Sequence, residues 1–249
     1  MDLGRNLLYL SDMPIRAMRR WRRHYPDYRA YLFEDTRRRL KSKPRRILEI
    51  GPRDGEDTRR LDTLGAEKLV LVELPSQKER LESWLPSIKA TSTEVLYTNF
   101  MYDRQFEAME PFDLIWCTGV LYHNPEQLRF VRQLFDLVAP DGLLVLETAT
   151  ARRRVLRNEN CVEIWYPVDK DKGNAVHLSA NITHVPSARA VGSWLEMVGF
   201  DRIEKSDCHR RVLRSLAATR VAFIARRPVE PKVGTYYNRV AAYPVGRAR

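Results

Sequence analysis

The sequence predicts an α/β fold: a mostly parallel sheet with helices on both faces. Three observations predict it. Ile47, Leu48 and Ile50 form a short apolar run, as expected of a strand buried on both faces, and Gly51 and Gly55 follow at once. Glu56, Asp57 and Thr58 come next, acidic and capping residues suited to opening a helix, so the order is strand, glycine turn, helix. Finally, strand-like and helix-like patterns keep alternating through the fifth strand, which is the signature of βα units.

Taken in order, Ser11-Asp12-Met13-Pro14 reads as a helix start, with Ile15, Met18 and Trp21 on one face and five arginines around it. Pro26 ends it. A second helical pattern runs from Asp27 to Lys41, with Tyr28, Tyr31, Leu32 and Leu40 apolar and Arg37-Arg38-Arg39 near its C-terminal end, where cations suit the helix dipole. After the first βα unit, Lys68 to Glu73 is a strand that ends in a carboxylate. Ser76 to Leu85 is a covering helix and Val95-Leu96-Tyr97 the third strand. Phe112 to Cys117 is the fourth strand, followed by a helix over Glu126–Val138, a turn at Pro140-Asp141-Gly142 and a fifth strand over Leu143–Glu147. About forty residues of mixed character follow, a length at which a loop usually carries function or structure of its own. Ser187 caps a helix that Gly199 ends. Phe200–Glu204 and Arg220–Ala225 are the last strands, read as an antiparallel pair. The expected organisation is a basic helical extension over 1–45, a core domain over 46–228 with an insertion at 149–186, and a tail over 229–249.

Composition narrows the function classes. The chain has 249 residues, enough for one α/β domain plus an appendage. No run approaches the roughly 20 apolar residues of a membrane span. Residues 1–10 lack a basic n-region, so no signal peptide is expected. Cys117, Cys161 and Cys208 are scattered without a C-x-x-C pair, so reduced thiols, a cytoplasmic location and no metal site are the expectation. The net charge is +11, and residues 1–46 hold 14 Lys/Arg against 5 Asp/Glu. Those helices either cap the core with solvated faces or present an anion-binding surface.

The site is expected at the strand tips. Open α/β sheets bind ligands outside the carboxyl ends of their strands, and a glycine turn lets backbone approach a ligand closely. Glu73 lies about 20 residues beyond the turn, where a ribose diol would be held. Glu49 is unusual inside a core strand and needs a partner, which a cationic or donor-rich ligand would supply. The same turn with no ligand is an ordinary βα connection. A dinucleotide-binding reading would require G-x-G-x-x-G, which the chain lacks.

The string Glu49-x-Gly51-x-x-x-Gly55, with the acidic strand end at Glu73, resembles the first two motifs of class I S-adenosylmethionine-dependent methyltransferases. The middle glycine of that pattern is replaced, so the turn reads Gly51-Pro52-Arg53-Asp54-Gly55. The resemblance implies a Rossmann-like sheet in the order 3-2-1-4-5-7-6, with the seventh strand antiparallel. It also implies cofactor contacts from Glu49, Gly51, Pro52, Arg53, Gly55, Glu73 and Leu74, and from Cys117 and Thr118 at the end of the fourth strand. Asn99 and Phe100, just after the third strand, would flank the adenine; read locally they are equally a turn residue and a core residue.

Further segments are similar to the tRNA wobble-uridine carboxymethyltransferase family. They include Phe112 to His123 (FDLIWCTGVLYH), Asn181 to Ala188 (NITHVPSA) and Arg220 to Pro228 (RVAFIARRP). In that family the residues at Tyr122 and Arg220 help hold a transferred carboxymethyl group, and a phenol with a guanidinium suits a carboxylate. The family's lysine- and tryptophan-containing segment before the first strand has no counterpart in residues 1–46. Ordinary S-adenosylmethionine is therefore expected ahead of carboxy-S-adenosylmethionine. Arg220 would then bind a substrate acid or pair with a carboxylate such as Glu147.

A sulfonium methyl is already activated, so alignment in line with the S–CH3 bond is the main requirement. His123 is the candidate base, with Tyr122 beside it, or else a structural histidine. His177 and His184, in the insertion, would shape the substrate pocket. The expected activity is methyl transfer to a small-molecule acceptor, anionic ones included. A tRNA-modifying methyl- or carboxymethyltransferase and a non-catalytic cofactor-binding module are the alternatives. tRNA and a second copy of the chain are the candidate macromolecular partners.

Overall fold

The computed structural model describes residues 27–89, 92–151, 156, 158–165, 183–213 and 216–230. The first expected helix, His177 and the tail from residue 231 lie outside them. Strands β1 (Arg46–Ile50), β2 (Lys68–Glu73), β3 (Ser92–Tyr97), β4 (Phe112–Thr118) and β5 (Val138–Ala149) are joined by β8 (Asp201–Ser206) and β9 (Arg220–Arg226). They form one seven-stranded sheet in the order β3-β2-β1-β4-β5-β9-β8. Only β9 runs antiparallel to its neighbours. This is the topology the resemblance implied.

Alternation along the buried strands sorts side chains to two faces. Leu48, Ile50, Val70, Val72, Ile115 and Cys117 pack beneath α4 (Gln127–Leu137) and α5 (Ala188–Val198). On the other face, Ile47, Leu69, Leu71 and Trp116 meet α1 (Tyr28–Arg37), α2 (Glu56–Asp62) and α3 (Lys78–Trp84). The Asp27 side chain caps α1 by accepting from the Arg29 N–H, and the helix buries Leu32 and Phe33 against this face. That part of the basic extension is thus a layer of the core. Ser187 caps α5 as expected, and Gly199 ends it at φ 111°. A short helix the sequence reading did not anticipate, α6 (Cys208–Val212), lies between the last two strands of the sheet.

Two departures are instructive. Pro140-Asp141-Gly142 is drawn into β5 rather than preceding it, because Asp141 N–H donates to Arg227 C=O and Arg227 N–H to Gly142 C=O, extending the pairing with β9. Within the insertion, β6 (Val162–Trp165) and β7 (Thr183–Pro186) pair as an antiparallel ribbon separate from the main sheet. The ribbon leaves β5 at its carboxyl end and returns into α5, which places it on the same edge as the strand tips.

Candidate active site

The turn after β1 is built by chain packing. Gly51 and Gly55 hold φ values of 73° and 72°, and Arg53 one of 50°. A Cβ on Gly51 would sit 2.7 Å from Val120, and one on Gly55 would sit 2.4 Å from the Trp84 ring. The Trp84 indole N–H donates to Arg53 C=O at 3.1 Å, so α3 clamps the turn from one side. Glu73 ends β2 with one carboxylate oxygen accepting from Leu74 N–H at 2.8 Å and the other from Arg53 N–H at 3.4 Å. Its carboxylate is therefore turned toward the glycine turn, and burial raises its pKa.

Beneath the turn lies an acidic pair. Glu49, only 1% exposed, accepts from the Thr58 hydroxyl at 2.7 Å. Asp57 accepts from the Trp116 indole and the Thr118 hydroxyl, both at 3.1 Å, and pairs with Arg60 at 2.8 Å. Arg29 reaches Asp57 from α1 at 3.7 Å. Burial pushes Glu49 well above the ordinary carboxylate range and raises Asp57 too, in the latter case opposed by Arg29. Thr58, which the sequence presents with Asp57 as a capping residue, is the hydrogen-bond partner of the carboxylate in β1, while the Asp57 charge opposes its ionisation. The signal was their place in the first turn of the helix, which returns over the strand it follows.

The turn after β4 carries Tyr122 and His123, whose ring centroids are 3.8 Å apart. The Arg220 guanidinium lies 5.8 Å from the Tyr122 ring and 6.0 Å from that of Tyr28. Its Nε and Nη2 donate to the two oxygens of fully buried Glu147, at 2.5 and 2.8 Å. His209 Nε2 lies 3.0 Å from the same carboxylate. Arg220 holds Glu147 far below the usual carboxylate range against the cost of its burial, and desolvation pushes Tyr28 up to about 12. Of the two roles open to Arg220, pairing with Glu147 is the one realised. Two of its three nitrogens are engaged, and Tyr122 meets it through the ring.

Several expected cofactor side chains face elsewhere. Phe100 is a core residue, its ring 4.8 Å from Phe106 and 5.1 Å from Phe130, so it is not free to stack on an adenine. Asn99 folds its side-chain oxygen onto Met101 N–H at 3.0 Å, closing the turn. The Cys117 thiol points into the core, where burial raises its pKa, and the Thr118 hydroxyl is engaged by Asp57. Here β-strand alternation outranks proximity to the strand tip. His184 sits on β7 in a separate cleft, with Gln127 Nε2 donating to its carbonyl at 2.6 Å. Sequence reading placed Tyr28 only on the apolar side of its helix and did not single out Trp84 or His209, because each reaches the site from an element distant in sequence. Among the described residues no cluster could hold a metal ion, and no helix is long and apolar enough to cross a membrane.

Comparison with known proteins points to one family and one fold. A family model described as a methyltransferase domain matches residues 18–205. The tRNA U34 carboxymethyltransferase of Klebsiella pneumoniae subsp. pneumoniae is 38% identical over 96 residues, covering 39% of this chain and 25% of that protein. The enzyme of the same name from Chromohalobacter salexigens is 27% identical over 166 residues, covering 66% and 46%. The chain thus spans from a quarter to just under half the length of these relatives. Among solved structures, the N-terminal domain of EvdMO1, crystallised in the presence of SAH and D-fucose, superposes with a TM-score of 0.62 at 20% identity, covering 82% of this chain and 84% of that one. The N-methyltransferase NodS from Bradyrhizobium japonicum WM9, in complex with S-adenosyl-L-homocysteine, gives 0.57 at 18%, covering 82% and 89%. With the family model covering most of the chain, the chain belongs to the methyltransferase-domain family.

Proposed function

We propose that the chain is a class I S-adenosylmethionine-dependent methyltransferase acting on a small-molecule acceptor. The observation that carries this reading is Glu73, whose carboxylate turns at the tip of β2 toward Arg53 N–H of the glycine turn. A carboxylate there is placed to accept from both hydroxyls of an adenosyl ribose. In this reading the backbone of Gly51 to Gly55 borders the same space, and Asn99, Cys117 and Thr118 would meet the cofactor through their backbone, since their side chains are engaged elsewhere. Tyr122 and His123 then face the methyl. The enzyme's contribution is alignment, for which effective-molarity arguments allow roughly 7–11 kcal/mol at best. His123 takes a proton where the nucleophile must lose one.

Calorimetry with S-adenosylhomocysteine tests this. Binding is expected, and Glu73→Ala is expected to weaken it about tenfold or more through the lost charge-assisted bonds. No heat from the unmodified chain, with Glu73→Ala indistinguishable from it, would sink the proposal.

A second reading, modification of tRNA, is supported by the named relatives and by the excess of nine positive charges in residues 1–46. It predicts tRNA binding whose affinity falls steeply with salt. The engagement of Arg220 by Glu147 argues for the plain cofactor over the carboxylated one.

A further inference from the structure

Gln127 opens α4, whose other buried side chains, Phe130, Val131, Leu134 and Leu137, are all apolar. Gln127 is only 4% exposed, and its Oε1 is buried with no hydrogen-bond partner. Such an acceptor destabilises the fold, and a leucine of similar size would carry no such cost. The other end of the carboxamide supplies the reason for it. Nε2 donates to Leu121 C=O at 3.1 Å and to His184 C=O at 2.6 Å. Chemistry fixes this orientation, because the flipped amide would set an oxygen against two carbonyls. The two carbonyls belong to different segments. Leu121 begins the short turn Leu121–His123, and its carbonyl also accepts from Asn124 N–H at 3.0 Å, closing that turn. His184 lies in β7, paired with Ile164 of β6, and β7 runs beside the turn. The base of the ribbon is held elsewhere: Ala151 N–H donates to Pro186 C=O at 2.9 Å, and Ser187 N–H to Cys161 C=O at 2.8 Å. Gln127 fastens the ribbon two residues further along, to the turn that carries Tyr122 and His123.

We propose that Gln127 is a positioning residue for methyl transfer: its side-chain amide fixes the turn of Tyr122 and His123 to the β6–β7 ribbon, so that turn and ribbon move as one body. In this role Gln127 acts through the two carbonyls and not on the reacting atoms. The insertion thereby takes part in placing the two rings beside the methyl. A misplacement of about 1 Å can lower a rate on the order of a hundredfold, so a bond that holds the turn matters although it lies away from the chemistry. The consequence for transfer rests on the methyl-transfer reading; the tether itself does not.

NMR of the full chain tests this, read on the backbone amide signals of Tyr122 in the turn and Val185 in the ribbon. Gln127→Leu removes both donors and keeps the packing. It is expected to shift both signals while those of Leu69 and Leu71, on the opposite face of the sheet, stay in place. Gln127→Glu is the conservative variant. Its carboxyl donates only when protonated and repels both carbonyls when ionised. Both signals are therefore expected to pass through one pH step with one midpoint, absent from the unmodified chain, and to approach their unmodified positions at the acid end. Unmoved signals in both variants, or a shift or step confined to one segment, would overturn the tether. Should Gln127→Leu fail to fold, the Gln127→Glu step decides. S-adenosylhomocysteine is then added to the unmodified chain and to the folded variant, Gln127→Glu being held above its step. Tyr122 is expected to shift in both, and Val185 in the unmodified chain alone. A Val185 signal that moves equally in both, or in neither while Tyr122 moves, would overturn the coupling. No shift at Tyr122 in the unmodified chain would remove the methyl-transfer reading and leave the tether standing.

Discussion

Two buried glutamates behave oppositely, and the difference lies in what faces them. Glu147 meets Arg220 and His209, and its pKa is lowered. Its contribution to stability is complete above the unfolded carboxylate value and is lost only as pH falls through a folded value far below it. Arg220→Ala should therefore cost about 3–5 kcal/mol at pH 7, as breaking a buried pair does, and less in acid where Glu147 of the variant is protonated. Urea unfolding at pH 7 and pH 4 reads this, and equal losses at both would contradict it. Glu49 has a hydroxyl donor and the nearby Asp57 charge, and its pKa is raised. Stability from this group is full below the ordinary value of 4.5 and declines as pH rises toward the folded value. Glu49→Gln should leave the urea midpoint unchanged at pH 4 and raise it at pH 8. A midpoint that falls at pH 8 would show the carboxylate to be stabilised by something other than Thr58.

At the scale of elements, the first turn and α3 form one unit. Gly55 is where it is because the Trp84 ring occupies the place of a side chain, and the indole N–H closes the turn through Arg53 C=O. Gly55→Ala combines a left-handed backbone with a clash, and should cost about 2 kcal/mol or more. Trp84→Ala should cost about 3–5 kcal/mol. The double variant should lose clearly less than the sum, since removing the ring admits the methyl. Thermal unfolding of the four proteins decides, and additivity would mean the two positions act apart. The two glycines and the acidic end of β2 were legible in the sequence. The clamp was not, because the distance in sequence between Gly55 and Trp84 says nothing of where α3 lies.

Across the whole molecule, the ribbon stands outside the seven-stranded sheet. Replacing residues 152–186 with a flexible linker should leave a cooperatively folding domain, since lengthening or shortening a surface connection changes loop-closure entropy only slowly. S-adenosylhomocysteine binding should survive, because the turn after β1 and Glu73 belong to the main sheet and not to the ribbon. Calorimetry with S-adenosylhomocysteine checks this, and loss of the cofactor site along with the ribbon would place the two in one unit.

The sequence by itself determined the strands of the main sheet and, through the resemblance its motifs carry, their order and the family, because apolar runs, glycine turns and strand-end acids are local patterns that read along the chain. It also named the residues of the β1 and β4 turns. Only the tertiary structure decided which way side chains point and what answers them. It turned Phe100 and Cys117 into the core, gave Arg220 to Glu147 and Glu49 to Thr58, and left Gln127 Oε1 without a donor. The reason is physical: a buried charge or polar group is placed by partners that folding brings from distant segments, and no periodicity along one segment encodes them.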